Sequence, residues 1–175
     1  EVSLGGREYP VSKKKVDKKP EAVRINNPIN IDSSLPFRIT RLANLFGSNY
    51  DRSVFQRGIK LSVTEWRAMM TLAFHPGIYA IDVCRYTGYS EVNVSRALSR
   101  MNERGWVYRE SDPNDRRKYR LELTAAGAEL YNDLEPKART SIADLKSQLS
   151  PSAERQVHKY LDKFIKIMEG IVSRK

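Results

Sequence analysis

The chain has few of the residues that build reactive or metal-binding sites. It contains a single cysteine, Cys84, and therefore cannot form an intrachain disulfide. Its two histidines, His75 and His158, are far apart and lack the spacing of metal-ligand pairs. There is no glycine-rich phosphate loop and no Gly-x-Ser-x-Gly nucleophile motif. We therefore expect no catalytic residue, no metal site and no cofactor.

Long hydrophobic runs are also absent. No segment approaches the roughly 18 apolar residues that a membrane helix needs, and the first ten residues do not have the pattern of a signal peptide. The single cysteine fits a reducing compartment. These features predict a soluble, cytoplasmic protein without a membrane partner.

What the sequence does have is positive charge. It contains 31 Lys and Arg against 21 Asp and Glu, which gives a net charge of +10, and a dimer would carry 2 × 10 = +20. Contacts to phosphates supply most non-specific affinity for nucleic acids. The charge therefore indicates a polyanionic partner, although a basic protein without such a partner can have the same composition.

The first 31 residues contain much of this charge. They hold the runs Lys13-Lys14-Lys15 and Lys18-Lys19 between glycine and proline breaks, with no sustained periodicity. The pattern predicts a basic N-terminal arm over residues 1–31. Such an arm either contacts DNA phosphates or is a solvated tail.

From Pro36 the sequence has helical periodicity. Ser62 and Glu65 form a capping-box pattern that predicts a second helix to about Phe74. A short third helix over residues 80–86 and a fourth that ends at Gly105 are expected to follow. The first helix is predicted from apolar residues at spacings of three or four: Ile39, Leu42, Phe46, Tyr50 and Val54.

After Gly105 the period changes to two. Residues 106–110 and 119–123 alternate apolar with polar side chains, which predicts a β-hairpin with a basic tip. Thr124 then caps a fifth helix, and Ser150-Pro151 starts a sixth. Apolar residues at alternating steps of four and three predict that the sixth helix pairs with other helices: Val157, Leu161, Phe164, Met168 and Ile171.

Two short helices, a longer helix and a basic hairpin are the elements of a DNA-reading module. In such modules the longer helix enters the major groove and the hairpin straddles the backbone. At about 100° per residue, the apolar side of this helix holds Val94, Ala97, Leu98 and Met101. The opposite side suits base edges, because arginine binds guanine bidentately and valine contacts the thymine methyl. Its predicted DNA contacts are Val92, Asn93, Arg96, Ser99 and Arg100.

An ordered set of motifs carries a family resemblance. Residues 93–101 and 104–107, followed by residues 112–117 and 123–127, resemble the MarR family of bacterial regulators. The resemblance covers about residues 32–172. It implies a homodimer, paired through the first and last two helices, that presents two winged modules to a pseudo-palindromic operator of double-stranded DNA. It also implies a repressor that releases DNA when a small aromatic or anionic effector binds.

The resemblance further implies roles for particular residues. Ser95 and Arg96 match the recognition helix, and Asp115 and Arg117 match the wing, where the arginine enters the minor groove and the aspartate orients it. Family members that sense peroxide use a cysteine in the first helix, whereas Cys84 falls in the third, so redox sensing is disfavoured. The basic tip completes the predicted wing contacts: Asp115, Arg116, Arg117 and Lys118.

The fold prediction is a mainly α protein with a small β-hairpin wing, that is, a winged helix-turn-helix plus a helical dimerisation region. The basic arm covers residues 1–31, the winged module residues 61–123, and the dimerisation region residues 32–60 and 124–175. Four residues are predicted to bind the effector by supplying aromatic walls and a partner for an anion: Tyr50, Trp66, Arg67 and Met70. The same residue types also form ordinary hydrophobic cores. The alternative function is an architectural protein that binds DNA without sequence choice.

Overall fold

The computed structural model describes residues 2–4, 7–9, 25–55, 59–115 and 118–174. Two units are distinguished, residues 1–41 and 42–175. In the first unit, strands β1 (Val2–Leu4) and β2 (Arg7–Tyr9) pair antiparallel, with Ser3 opposite Glu8. The sequence did not predict this pair, because strands of three residues are too short to show a period. The lysine runs of the predicted arm lie outside the described residues.

The rest of the chain is mainly helical, as the sequence predicts. Helix α1 begins in the first unit and continues into the second. A two-stranded hairpin separates the fourth and fifth helices. The elements are α1 (Leu35–Ser53), α2 (Val63–Phe74), α3 (Ala80–Thr87), α4 (Glu91–Glu103), β3 (Val107–Ser111), β4 (Tyr119–Leu123), α5 (Ala125–Ser147) and α6 (Pro151–Val172).

Local signals in the sequence set the helix boundaries. The Ser62 hydroxyl accepts a hydrogen bond from the Glu65 backbone N at 3.2 Å, and the Glu65 carboxylate accepts one from the Ser62 backbone N at 2.7 Å. This capping box was predicted and is confirmed. Thr124 caps α5 through the backbone N of Gly127, and α3 ends at Gly88, whose φ of +70° suits glycine.

The hairpin is joined to the segment before α3. In its register Val107 lies opposite Leu123 and Ser111 opposite Tyr119. The Leu121 backbone N also donates to the Ile78 carbonyl at 2.9 Å, and the Gly77 backbone N donates to the Leu121 carbonyl at 3.0 Å. The base of the wing is therefore fixed to the chain that leads into α3.

Most of the core lies within the segment from α2 to β4 and the first half of α5. The four residues predicted for the inner face of α4 are all buried: Val94, Ala97, Leu98 and Met101. On α5, Leu134 and Ala138 are buried, whereas Ile142 and Leu145, farther along the helix, are exposed. None of the 22 residues of α6, all described, is buried. Among the described residues, no helix is long and apolar enough to cross a membrane.

Candidate nucleic-acid interface

The outer face of α4 presents polar and apolar side chains to solvent. The Ser90 hydroxyl caps the helix by accepting from the Asn93 backbone N, and the first turn is exposed. Ser99 is half-buried, and its hydroxyl accepts from Nη2 of Arg109 at 3.4 Å. Five of the six predicted contacts on this helix are exposed: Val92, Asn93, Ser95, Arg96 and Arg100.

Arg100 differs from Arg96, because it is held by a buried carboxylate. Its Nε lies 2.9 Å from Oε1 of Glu65, whose side chain is 2% exposed, while that of Arg100 is 44% exposed. Burial raises the pKa of Glu65, but hydrogen bonds from Ser62 and Arg100 outweigh this effect and lower it overall. Glu65 therefore stays charged and connects the start of α2 to the end of α4. Arg96 remains the arginine of the outer face that is available to a base.

The turn of the wing is organised by Asp112, whose side chain is 6% exposed. Its Oδ1 accepts from the backbone N of Asn114 at 2.9 Å and of Asp115 at 3.2 Å. A hydrogen bond from the Tyr79 hydroxyl and the one from Asn114 lower the pKa of Asp112 to about 2. The carboxylate is thus ionised at neutral pH, and its charge folds the turn.

Two of the predicted wing residues lie within this turn. The Asp115 carboxylate is 3.7 Å from Nζ of Lys118, and the Lys118 backbone N donates to the Asp115 carbonyl at 2.8 Å. Lys118 is exposed at the tip of the hairpin. Arg116 and Arg117, the other two predicted wing residues, lie outside the described residues.

A cavity of about 420 Å³ lies between the wing, α4 and the start of α3. Ser95, Arg109, Tyr119 and Tyr79 are among its lining residues. Within the described part of the chain, the buried Nε of Arg109 has no hydrogen-bond partner. This cavity was not predicted from the sequence. The alternating pattern of β3 could have indicated it, because Arg109 lies two residues after the buried Val107 and therefore on the same, inward face of the strand.

The four predicted effector residues are not brought together in one cavity. Arg67 and Met70 line a groove of about 480 Å³ with Phe74, His75 and Tyr86. Trp66 is fully buried and stacks on Tyr131, with ring centroids 5.7 Å apart.

Trp66 also meets the ring of Tyr50 edge-on at 6.4 Å. Both rings pack against the core cluster, because this side of α2 faces the interior of the module. In this structure Trp66 is therefore a core residue and not an accessible wall. Tyr50, Arg67 and Met70, the other three residues of the predicted set, are partly buried.

Comparison with known proteins gives two kinds of match. The family model described as MarR family matches residues 59–118, which contain α2, α3, α4, β3 and the turn of the wing. The transcriptional repressor MprA of Escherichia coli K12 is 31% identical over 78 residues, which are 45% of this chain. The match spans only 44% of the length of MprA. The homoprotocatechuate degradative operon repressor of Escherichia coli is 26% identical over 117 residues, 67% of this chain and 78% of that repressor.

Solved structures share the fold. A MarR/EmrR family transcriptional regulator from Acinetobacter sp. ADP1 superposes with a TM-score of 0.70 at 24% identity, over 81% of this chain and 99% of the other. BpsR of Bordetella bronchiseptica superposes with a TM-score of 0.67 at 20% identity, over 79% and 97%. The helices outside the matched segment of residues 59–118 therefore also follow this architecture.

Proposed function

We propose that this chain is a homodimeric, sequence-specific DNA-binding repressor of the MarR family, whose model matches residues 59–118. The observation that carries the proposal is the outer face of α4, where Arg96 is exposed beside small and apolar side chains. Such a face fits the major groove, in which arginine and apolar side chains read base edges. The net charge of +10 supplies the attraction to phosphates.

The wing adds a second contact of a different kind. Lys118 is exposed at its tip, and the neighbouring Arg116 and Arg117 add two positive charges. We assign Arg117 to the minor groove, where narrow A·T-rich segments concentrate negative potential. Arg116 and Lys118 then contact phosphates. Recognition helix and wing together would read both sequence and groove shape.

Dimerisation is supported by apolar surface that one chain leaves exposed. Helix α6 exposes Leu161, Ile165 and Met168, and α1 exposes Leu42 and Leu45. Surfaces of this kind mark interaction sites, and homo-oligomers with two-fold symmetry are the commonest way to cover them. We therefore propose that α1, α5 and α6 pair with the same helices of a second chain. A symmetric dimer would read two half-sites related by a two-fold axis.

Selection of bound DNA from a random pool tests this function. We expect an inverted repeat whose half-sites lie about one helical turn apart, bound by two chains as measured by sedimentation. Affinity for the selected site should exceed that for random DNA of equal length at the same salt concentration. A stable monomer, or equal affinity for selected and random DNA, would favour the architectural alternative.

Release by a small aromatic acid completes the proposal. The homoprotocatechuate repressor is named for an aromatic degradation operon, and the BpsR structure concerns regulation of DNA binding by 6-hydroxynicotinic acid. In this chain Arg109 lines the cavity beside the wing, and Arg67 lines the groove beside Met70. An aromatic carboxylate would pair with an arginine and stack on a nearby ring.

The effector proposal is tested with hydroxylated benzoates and nicotinates. We expect at least one to raise the unfolding midpoint and weaken operator binding, because an effector must bind the two states with different affinity. Replacing Arg109 or Arg67 by methionine should abolish the response at the cavity that is used. If a broad panel changes neither quantity, the effector assignment is wrong.

A further inference from the structure

Asp112 connects the wing to a second part of the module. Among the described residues, its Oδ1 accepts from the backbone N of Asn114 and of Asp115, whereas Oδ2 accepts from the Tyr79 hydroxyl at 2.5 Å and from Nε of Arg120 at 3.3 Å. Tyr79 is 33 residues earlier in the chain, at the start of α3. One oxygen therefore folds the turn, and the other ties the folded turn to the body of the module.

Tyr79 is itself held in place by its neighbours. It is the N-cap residue of α3, and its backbone N donates to Oδ2 of Asp82 at 3.1 Å. The preceding residues Gly77 and Ile78 are hydrogen-bonded to Leu121 of β4. Because its backbone is held on both sides, Tyr79 has a fixed position. Its hydrogen bond to Asp112 can therefore hold the turn of the wing in place.

Arg120 does not replace this anchor. Arg120 lies on β4, so its ion pair with Asp112 joins two parts of the same hairpin and does not tie the turn to α3. The hydrogen bond from Tyr79 is short and joins a hydroxyl to a carboxylate that water scarcely reaches. Bonds of this charge-assisted type are about twice as strong as those between neutral groups. The position of the turn therefore depends mainly on Tyr79.

We propose that Tyr79 is a positioning residue for the wing: its hydroxyl fixes Asp112 and thereby holds the hairpin tip, with Lys118, where it can contact DNA. The inference rests on the proposed function, because it assigns Tyr79 a role in the same DNA interface. Tyr79 acts through Asp112 and does not itself read DNA. Its loss should therefore weaken the contact of the wing and leave that of α4 unchanged.

The test is Tyr79→Phe, which removes one hydroxyl and keeps the ring. Affinity is measured for the selected operator with A·T flanks, for the same operator with G·C flanks and for random DNA. We expect about tenfold weaker binding to the A·T-flanked operator, and much smaller changes on the other two DNAs. Tyr108→Phe, which removes the hydroxyl of an exposed tyrosine at the end of the hairpin away from its tip, is the matched control and should bind like the wild type.

A double-mutant cycle of Tyr79→Phe with Arg117→Ala shows whether Tyr79 positions the wing or only stabilises the fold in general. When the wing contact is already lost, Tyr79→Phe should have little further effect on affinity. Asp112→Ser is a second variant, because serine can still accept from the Asn114 backbone N but is too short to reach Tyr79. It should show the same loss on the A·T-flanked operator, and thermal unfolding checks that each variant is folded.

Two outcomes would overturn the inference. One is that Tyr79→Phe weakens binding to all three DNAs by the same factor and that its effect on affinity adds fully to that of Arg117→Ala. A purely structural role of Tyr79 would produce this result. The other is unchanged affinity of Tyr79→Phe for the A·T-flanked operator while the wild type still prefers operator to random DNA. Wild-type protein without that preference would instead contradict the proposed function itself.

Discussion

Replacing Arg96 by alanine is expected to weaken operator binding by about 1 to 3 kcal/mol in each half-site and to relax the preference at one base position there. Arg96 is exposed on the outer face of α4, whereas Arg100 on the same helix is held by Glu65. The loss should therefore be roughly 5- to 150-fold per half-site on the operator. Binding isotherms on the operator, on operators changed at single positions and on random DNA measure it.

Arg85→Ala is the matched control for charge. Arg85 is also an exposed arginine, in the last turn of α3, where it pairs with Asp82 at 2.9 Å. Both variants remove one positive charge, so both should lower affinity for random DNA slightly and to a similar degree. If Arg96→Ala weakens operator and random DNA by the same factor, Arg96 contacts phosphate and does not read a base.

Gly127→Ala is expected to destabilise the protein by about 3 kcal/mol, because there is no room for a β-carbon at this position. A Cβ on Gly127 would lie 2.1 Å from the carbonyl oxygen of Trp106 and 2.9 Å from its carbonyl carbon. Both atoms belong to the backbone, so relief requires the start of α5 to move away from the wing. The same carbonyl accepts from the Thr124 backbone N at 3.1 Å, and that bond would be strained.

Thermal unfolding measures this effect. For a chain of this size we expect the midpoint to fall by about 6 to 12 °C. Gly170→Ala is the control, because Gly170 lies on α6 and an added Cβ meets nothing within 4 Å of it in the chain. That change should leave stability equal or slightly higher, since alanine favours helix. An unchanged midpoint for Gly127→Ala would show that the joint between wing and α5 is looser than the structure indicates.

The order and bounds of the helices and of the wing were predictable because the signals for them are local. A capping serine and the glutamate three residues after it make their own bonds, as Ser62 and Glu65 do. The inner face of α4 follows from its period alone, and all four of its predicted residues are buried. The exposed position of Arg96 opposite that face follows from the same period.

The resemblance extended these local predictions to a family and its mode of action. The family model matches residues 59–118, which contain α4, β3 and the turn of the wing. The short pair β1 and β2 was missed, because no periodic signal arises over three residues. The roles given to single residues of the interface stay predictions, which the variants described above test.

The partners of particular side chains were decided only by the tertiary structure. Arg96 and Arg100 are alike in a helical projection, yet only Arg100 reaches Glu65, which lies 35 residues away in sequence. Trp66 proved to be core because α2 presents that side to Tyr131.

The link from Tyr79 to Asp112 likewise joins residues 33 positions apart. By itself, the sequence of this protein determined which segments form helix or strand and which faces are apolar, because periodicity and capping depend on neighbouring residues. Which charged groups are paired, and which remain available to DNA, was decided only by the fold, because those contacts join segments that packing alone brings together.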